Sequence, residues 1–211
     1  MPLRAGEACL YHCGPTVYNF AHIGNLRAYV CADVLRRTLE YAGYTVKQVI
    51  NITDIGHLAS DADDGEDKMV KALRREGKPL TLAAMKEVAE TYECAFREDL
   101  QALNIKTDGT KFPRASEHIA EDIDIIRKLE EKGSAYRTSD GIYFNTDTFP
   151  EYGTRGGFAL GALKAGARVA VHTEKKNPRD FALWKFASGD LGFSSPWGMG
   201  FPGWHIECSA M

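Results

Sequence analysis

The pattern of apolar and polar positions changes period twice within the first fifty residues. Ala8-Cys9-Leu10-Tyr11-His12-Cys13 reads as a short buried strand running into Gly14-Pro15-Thr16, a turn signal. From Ile23 onward, Leu26, Val30, Val34, Leu35 and Leu39 recur at helical spacing until Gly43 stops the run. Val46-Lys47-Gln48-Val49-Ile50-Asn51-Ile52 then alternates and is rich in β-branched residues, which predicts a second strand. Strand, turn, helix and strand of these lengths predict a βαβ unit with parallel strands and a right-handed crossover. Ligands of such sheets bind at the carboxyl ends of the strands, here the Cys13–His22 turn and the Thr53-Asp54 turn.

Further along, Ser60 to Asp67 is rich in Asp and Gly and is expected to be an exposed loop. Helices are expected over Lys68–Glu76 and from Leu82 to about Leu103, the latter with Thr81 as N-cap. Another is expected from Ser116 to Lys132, closed by Gly133. Tyr136 to Thr146 reads as a hairpin around Ser139-Asp140-Gly141, and Asp147 to Arg168 as Gly-rich and irregular. The chain returns through the apolar-aromatic run Phe181-Ala182-Leu183-Trp184-Lys185. Its last residues, from Gly203 to Met211, look like a helix start with nothing after it, which reads as a truncation. The fold class is therefore α/β: a Rossmann-like parallel sheet with an inserted mixed α+β connective region. Residues 1–110 form the first half of the nucleotide-binding domain with a helical segment, 111–171 the insertion, and 172–211 the return to it.

Composition narrows the function classes. The chain has 211 residues, 44% hydrophobic and 26% charged, with a formal net charge of -3, an ordinary globular balance. An acidic balance argues against a dedicated nucleic-acid module, though not against an enzyme with local tRNA contacts. No stretch approaches the roughly 20 apolar residues of a membrane span, and the N-terminus has no secretory h-region. Five cysteines at scattered spacings are no disulfide framework; they point to a reduced, cytoplasmic protein with room for one metal site.

The densest chemistry lies in Cys13-Gly14-Pro15-Thr16-Val17-Tyr18-Asn19-Phe20-Ala21-His22-Ile23-Gly24-Asn25. A helix N-terminus after a Gly/Pro turn offers free N–H groups to a phosphate. His22 is a donor able to stabilise charge on a reacting phosphoryl group, and Gly24 removes a Cβ where a nucleotide could approach. On spacing alone, a capped strand–turn–helix joint with a surface His is the more ordinary reading, since many α/β proteins have such turns. The exact residues go further. Cys13 to Tyr18 followed by Ala21-His22-Ile23-Gly24 resembles the His-Ile-Gly-His region of class I aminoacyl-tRNA synthetases in its cysteinyl form. The likeness continues through Leu26-Arg27-Ala28-Tyr29-Val30, Asp33-Val34-Leu35-Arg36-Arg37, Asn51-Ile52-Thr53-Asp54-Ile55 and Ala102-Leu103-Asn104-Ile105. It goes on at Pro113-Arg114-Ala115, Lys164-Ala165-Gly166-Ala167-Arg168-Val169, Asn177-Pro178-Arg179-Asp180-Phe181 and from Ser195 to Met211. The chain is thus similar, essentially throughout, to the N-terminal part of the cysteinyl-tRNA synthetase catalytic domain, the first half of the class I fold.

The resemblance implies a two-step reaction on ATP with Mg2+, L-cysteine and tRNA(Cys), in a monomeric cytoplasmic enzyme. Residues Pro15 to Asn25 would bind ATP, with His22 and Asn25 catalytic; Asn25 stands where the family usually has His and can donate a hydrogen bond without ever being charged. Gly14, Thr53 and Trp204 would line the cysteine pocket, although Trp204 fits plain core packing as well. By type a lone Cys such as Cys13 or Cys208 is more often a small buried hydrophobe than a ligand, and spacing does not show that they meet. By resemblance they match two of the family's four Zn2+ ligands, at a zinc that takes the substrate thiolate. Zinc prefers thiolate to the hydroxyl of serine, and alanine offers no ligand. The other two ligands, a His and a Glu, come from a His-His-Glu-Asn segment not in this sequence. His205, three residues before Cys208, is expected to be structural or to support the site rather than bind metal.

The family's Lys-Met-Ser-Lys-Ser loop is also absent, and Lys68-Met69-Val70-Lys71 is only a superficial echo. These 211 residues alone are therefore expected to bind ATP weakly and to aminoacylate tRNA poorly. Two other readings stay open: an ATP-dependent cysteine ligase acting on an amino sugar in mycothiol synthesis, and a non-catalytic nucleotide- or zinc-binding derivative. His12, His57, His118 and His172 carry no motif support, and the Asp61–Asp67 loop lacks the terminal Glu spacing of an EF-hand.

Overall fold

The computed structural model describes residues 4–55, 68–152, 174–187 and 191–211. His57, His172, the Asp61–Asp67 loop and the Lys164–Val169 motif lie outside the described residues. The chain divides into two compact units. One gathers Met1–Ile55 with Ala83–Glu117 and Met211, the other Gly56–Leu82 with His118–Ala210.

In the first unit, β1 (Glu7–His12) pairs in parallel with β2 (Thr45–Ile50), Glu7 opposite Thr45 and His12 opposite Ile50. The crossover is α1 (Ile23–Tyr41), as its apolar spacing predicts. It stops because Gly43 adopts φ 88°, which L side chains resist, and lets the Tyr44 N–H reach the Leu39 carbonyl at 3.0 Å. A third strand-like segment flanks β2. Lys111 N donates to Gln48 O at 3.0 Å, Ile50 N to Lys111 O at 2.9 Å, and Ile52 N to Pro113 O at 2.8 Å. Pro113 contributes only its carbonyl there, so the missing proline N–H costs nothing in this register.

The buried face of α1 differs from the apolar spacing that predicts the helix. Val34 and Leu35 are exposed at 59% and 47%, whereas Tyr29, Ala32, Asp33 and Arg36 are buried. The polar pair is buried because it is satisfied. Arg36 donates to Gln48 Oε1, Glu40 Oε1, Thr110 Oγ1 and the carbonyls of Lys106 and Asp108, while Asp33 accepts the Lys106 N–H at 2.9 Å. Buried charge is tolerated when paired in this way, and here it ties the 106–110 turn to α1. Helix α3 (Leu82–Ala102) turns Met85, Val88, Ala89, Phe96 and Leu100 inward, in the periodicity the sequence predicts.

The second unit carries α2 (Lys68–Arg75), α4 (Ile119–Glu131) and an antiparallel sheet. Its strands are β3 (Ala135–Arg137), β4 (Gly141–Phe144), β5 (Phe181–Phe186) and β6 (Gly200–Pro202), in that order across the sheet. The predicted hairpin is β3–β4. The chain closes with α5 (Trp204–Ala210). Ile126 of α4, Ile142, Leu183 and Trp184 of the sheet and Ile206 of α5 form its core.

The predicted return segment at Phe181 is held by one carboxylate. Asp180, 2% exposed, accepts from Tyr136 Oη at 2.7 Å, Thr146 N at 2.9 Å, Thr146 Oγ1 at 2.8 Å and Asn177 N at 3.0 Å.

Candidate active site

The site begins where β1 ends. Past His12 the chain cannot continue as a regular strand, because at Gly14 it presses against β2: a Cβ on Gly14 would lie 1.5 Å from the Asn51 carbonyl oxygen. Glycine is required by that approach. The next residues keep pairing with the extension of β2: Thr53 N donates to Pro15 O and Val17 N to Thr53 O, each at 3.0 Å. This ladder buries Val17 at 1% exposure and places Thr16 beside Thr53. Tyr18 N then bonds Thr16 O at 3.0 Å, a tight turn that carries the chain toward α1.

The turn ends in a capping box. His22 is the N-cap of α1 and its Nδ1 accepts the Gly24 N–H at 3.1 Å; Asn25 Oδ1 accepts the His22 N–H at 3.2 Å. Gly24 matters to this geometry, since a Cβ there would come within 2.8 Å of His22 Cε1. The room that Gly24 leaves is thus used by the His22 ring itself. His22, Ile23, Gly24 and Asn25 are all exposed, as are Asn19 and Phe20. Phe20 meets Tyr92 of α3 edge to face at 5.1 Å between ring centroids.

Cys13 is exposed, and its carbonyl accepts Tyr29 Oη at 3.3 Å. Burial, with Cys13 adding to it, pushes the Tyr29 phenol well above its ordinary value, so it stays a donor. Asn51, missed by sequence reasoning as a functional residue, accepts the Gly14 N–H at 2.8 Å and donates to Thr53 Oγ1 at 3.3 Å. Its signal lay in the polar-apolar alternation Asn51-Ile52-Thr53, in which every residue is buried. Asp54 is also buried; it accepts the Ser116 N–H at 2.9 Å and the Ser116 hydroxyl at 2.5 Å. Burial raises its carboxyl above the ordinary range, against the pull of those bonds.

The remaining site residues lie in the second unit. Trp204 opens α5, is 40% exposed, and has the Lys68 ammonium 5.3 Å from its ring centroid, within cation–π reach. His205 packs edge to face on Phe181 at 4.6 Å, a structural contact, and Cys208 is half-buried one turn on. Cys13 belongs to the first unit and Cys208 to the second. All five cysteines are thiols. Two thiols suit zinc chemically, but among the described residues no group of three or more His, Cys, Asp or Glu is placed to hold a metal ion. Of the other histidines, His12 has Nε2 buried without a hydrogen-bond partner among the described residues, and burial lowers its basicity. His118 precedes α4 without capping it through its side chain.

A parallel strand pair joined by a crossover helix, with an exposed His at that helix's N-terminus, is an α/β arrangement. The solved structure of Mycobacterium tuberculosis methionyl-tRNA synthetase bound by methionyl-adenylate aligns with a TM-score of 0.66 at 14% identity, over 96% of this chain and 45% of that one. The fold is therefore that of a class I synthetase catalytic domain. A family model described as tRNA synthetases class I (C) catalytic domain matches residues 1–211, and the chain belongs to that family. It is 48% identical over 215 residues to the cysteine--tRNA ligase of Treponema denticola, covering all of this chain and 42% of the relative. To cysteine--tRNA ligase 1 of Burkholderia lata it is 51% identical, covering all of this chain and 44% of that protein; to the ligase of Pyrococcus furiosus it is 48% identical, covering 41%. The chain thus spans less than half the length of the curated relatives it matches. No described helix is long and apolar enough to cross a membrane.

Proposed function

We propose that this chain supplies the ATP- and cysteine-binding side of a cysteine--tRNA ligase. The observation that carries the reading is the identity of 46–51% to ligases of that name over the entire chain. In the first step an oxygen of the cysteine carboxylate attacks the α-phosphorus of ATP. The bond to the bridging oxygen breaks, and cysteinyl-adenylate and pyrophosphate form. In the second, a ribose hydroxyl at the tRNA 3′ end attacks the adenylate's carbonyl carbon and AMP leaves.

His22 serves the first step as a donor. Its Nδ1 is occupied as an acceptor, so the proton sits on Nε2, where it can meet charge building on the phosphoryl oxygens. Pro15 to Asn25 form the ATP side and Gly14 and Thr53 the cysteine side, and Mg2+ accompanies the nucleotide. A zinc ion that selects the substrate thiol would take the exposed Cys13 thiolate as one of its ligands. The first half of the nucleotide-binding domain takes in residues 1–110 together with Lys111–Ala115, which pair with β2 and its extension; the connective insertion runs on to 171, and the return lies in 172–211. The protein acts as a monomer in the cytoplasm. A cysteine ligase acting on an amino sugar would share the first step and differ only in the acceptor.

The test is cysteine-dependent exchange of labelled pyrophosphate into ATP, run on this chain and on His22→Ala. Exchange that needs cysteine and falls at least 100-fold in the variant supports the reading. Exchange equal with serine or in the variant would overturn it.

A further inference from the structure

The geometry points to Asn51 as a positioning residue for the amino-acid side of the site, acting with Tyr29 through the single peptide unit that joins Cys13 to Gly14. This deepens the functional reading above and rests on it. The Cys13 carbonyl accepts Tyr29 Oη at 3.3 Å, and the Gly14 N–H donates to Asn51 Oδ1 at 2.8 Å. Those two groups are the opposite ends of one planar peptide. Bonds at both ends fix the rotation of the plane, and with it the direction in which the Cys13 side chain leaves the backbone.

The clamp is firm because its parts are buried while its product is not. Tyr29 is 5% and Asn51 0% exposed, whereas Cys13 is exposed. The approach of Gly14 to the Asn51 carbonyl adds a steric wall beneath the same peptide. Asn51 then spends its other amide group on Thr53, Nδ2 to Oγ1 at 3.3 Å. One side chain therefore ties Cys13, Gly14 and Thr53 into a fixed triangle. Asparagine is suited to this because it carries an acceptor and a donor on one planar group; aspartate lacks the donor, and leucine lacks both. Binding groups held in place before the ligand arrives avoid the cost of ordering them on binding.

The experiment titrates L-cysteine, and separately ATP, into the 15N-labelled chain and its Asn51→Ala and Tyr29→Phe variants, following the amides of Gly14, Thr53 and Gly24. Hydrogen exchange at Gly14 and Val49 runs alongside. Asn51→Ala is expected to weaken cysteine binding at least tenfold and to speed Gly14 exchange, with ATP affinity at Gly24 changed less than twofold. Tyr29→Phe deletes one hydroxyl from a ring held against Phe96, so Val49 protection persists, and cysteine binding weakens about threefold. Cysteine affinity unchanged in both variants, with Val49 still protected, overturns the proposal alone. Absence of any cysteine-dependent shift in the unaltered chain overturns the functional reading, and the proposal with it.

Discussion

Asn25 Oδ1 holds the backbone N–H of His22 at 3.2 Å while His22 Nδ1 holds that of Gly24 at 3.1 Å, so the first turn of α1 is closed by two reciprocal bonds. The residue that replaces the family's usual fourth-position His is therefore a helix-capping group in this protein, and its acceptor oxygen is what the geometry uses.

Asn25→Ala should cost about 1 kcal/mol of stability, the ordinary worth of a capping bond, and Asn25→Asp should cost much less because it keeps the acceptor. Chemical denaturation reads both. In the pyrophosphate-exchange assay Asn25→Ala should lose about tenfold, far less than His22→Ala. Equal losses would mean that Asn25 touches the reacting groups directly.

Gly14→Ala places a methyl group 1.5 Å from a backbone oxygen of Asn51, which no rotamer change can relieve. The expected loss is at least about 3 kcal/mol, the upper end of overpacking, with the Thr53–Pro15 ladder loosened as well. A thermal scan together with the amide protection of Val17 and Thr53 checks this. A variant of unaltered stability would show that β1 and the extension of β2 are further apart than the structure has them.

Much of the first unit was legible because its signals are local. Val46 to Ile52 alternates, Gly43 stops a periodic run, and Gly14-Pro15 breaks a strand, so the parallel pair and its crossover follow from sequence. The pairing of Lys111–Ala115 with β2 was not legible: five residues containing Lys, Pro and Arg carry no strand pattern, and only the register shows that Pro113 needs no donor. The buried face of α1 was hidden for a related reason. Arg36 and Asp33 read as surface charges until the 106–110 turn supplies their partners. Asn51 likewise looked like the tail of a strand, since its importance lies in Gly14, 37 residues earlier.

Asp180 sits in the family-like run Asn177-Pro178-Arg179-Asp180-Phe181, where a carboxylate invites a catalytic reading. Its four hydrogen bonds are all to groups of its own unit, so it is a structural clasp. Asp180→Ala strands two backbone N–H groups and two hydroxyls, and should cost at least about 3 kcal/mol. Asp180→Asn should fall between, since an amide can accept from one side only. Urea midpoints with near-ultraviolet circular dichroism decide it; full stability with lost activity would make Asp180 a catalytic candidate.

Asp122 makes the opposite case, a buried carboxyl whose oxygens have no hydrogen-bond partner among the described residues. Burial pushes it up from an ordinary 3.8 to about 7, with the charges of Glu121 and Cys208 adding to the effect. Between those two values the folded chain keeps the proton and the unfolded chain has lost it. The native state then binds more protons, so this group makes stability fall as pH rises. Its penalty is absent below about pH 4, grows through the interval, and reaches at most about 4 kcal/mol above pH 7. Asp122→Leu places an apolar group among the isoleucines of α4 and removes the titration. Urea midpoints from pH 4 to 8 should therefore show the variant gaining on the parent steadily with pH and levelling off above about 7. A constant difference across that range would mean that Asp122 finds a partner in solution and is ionised like any other carboxylate.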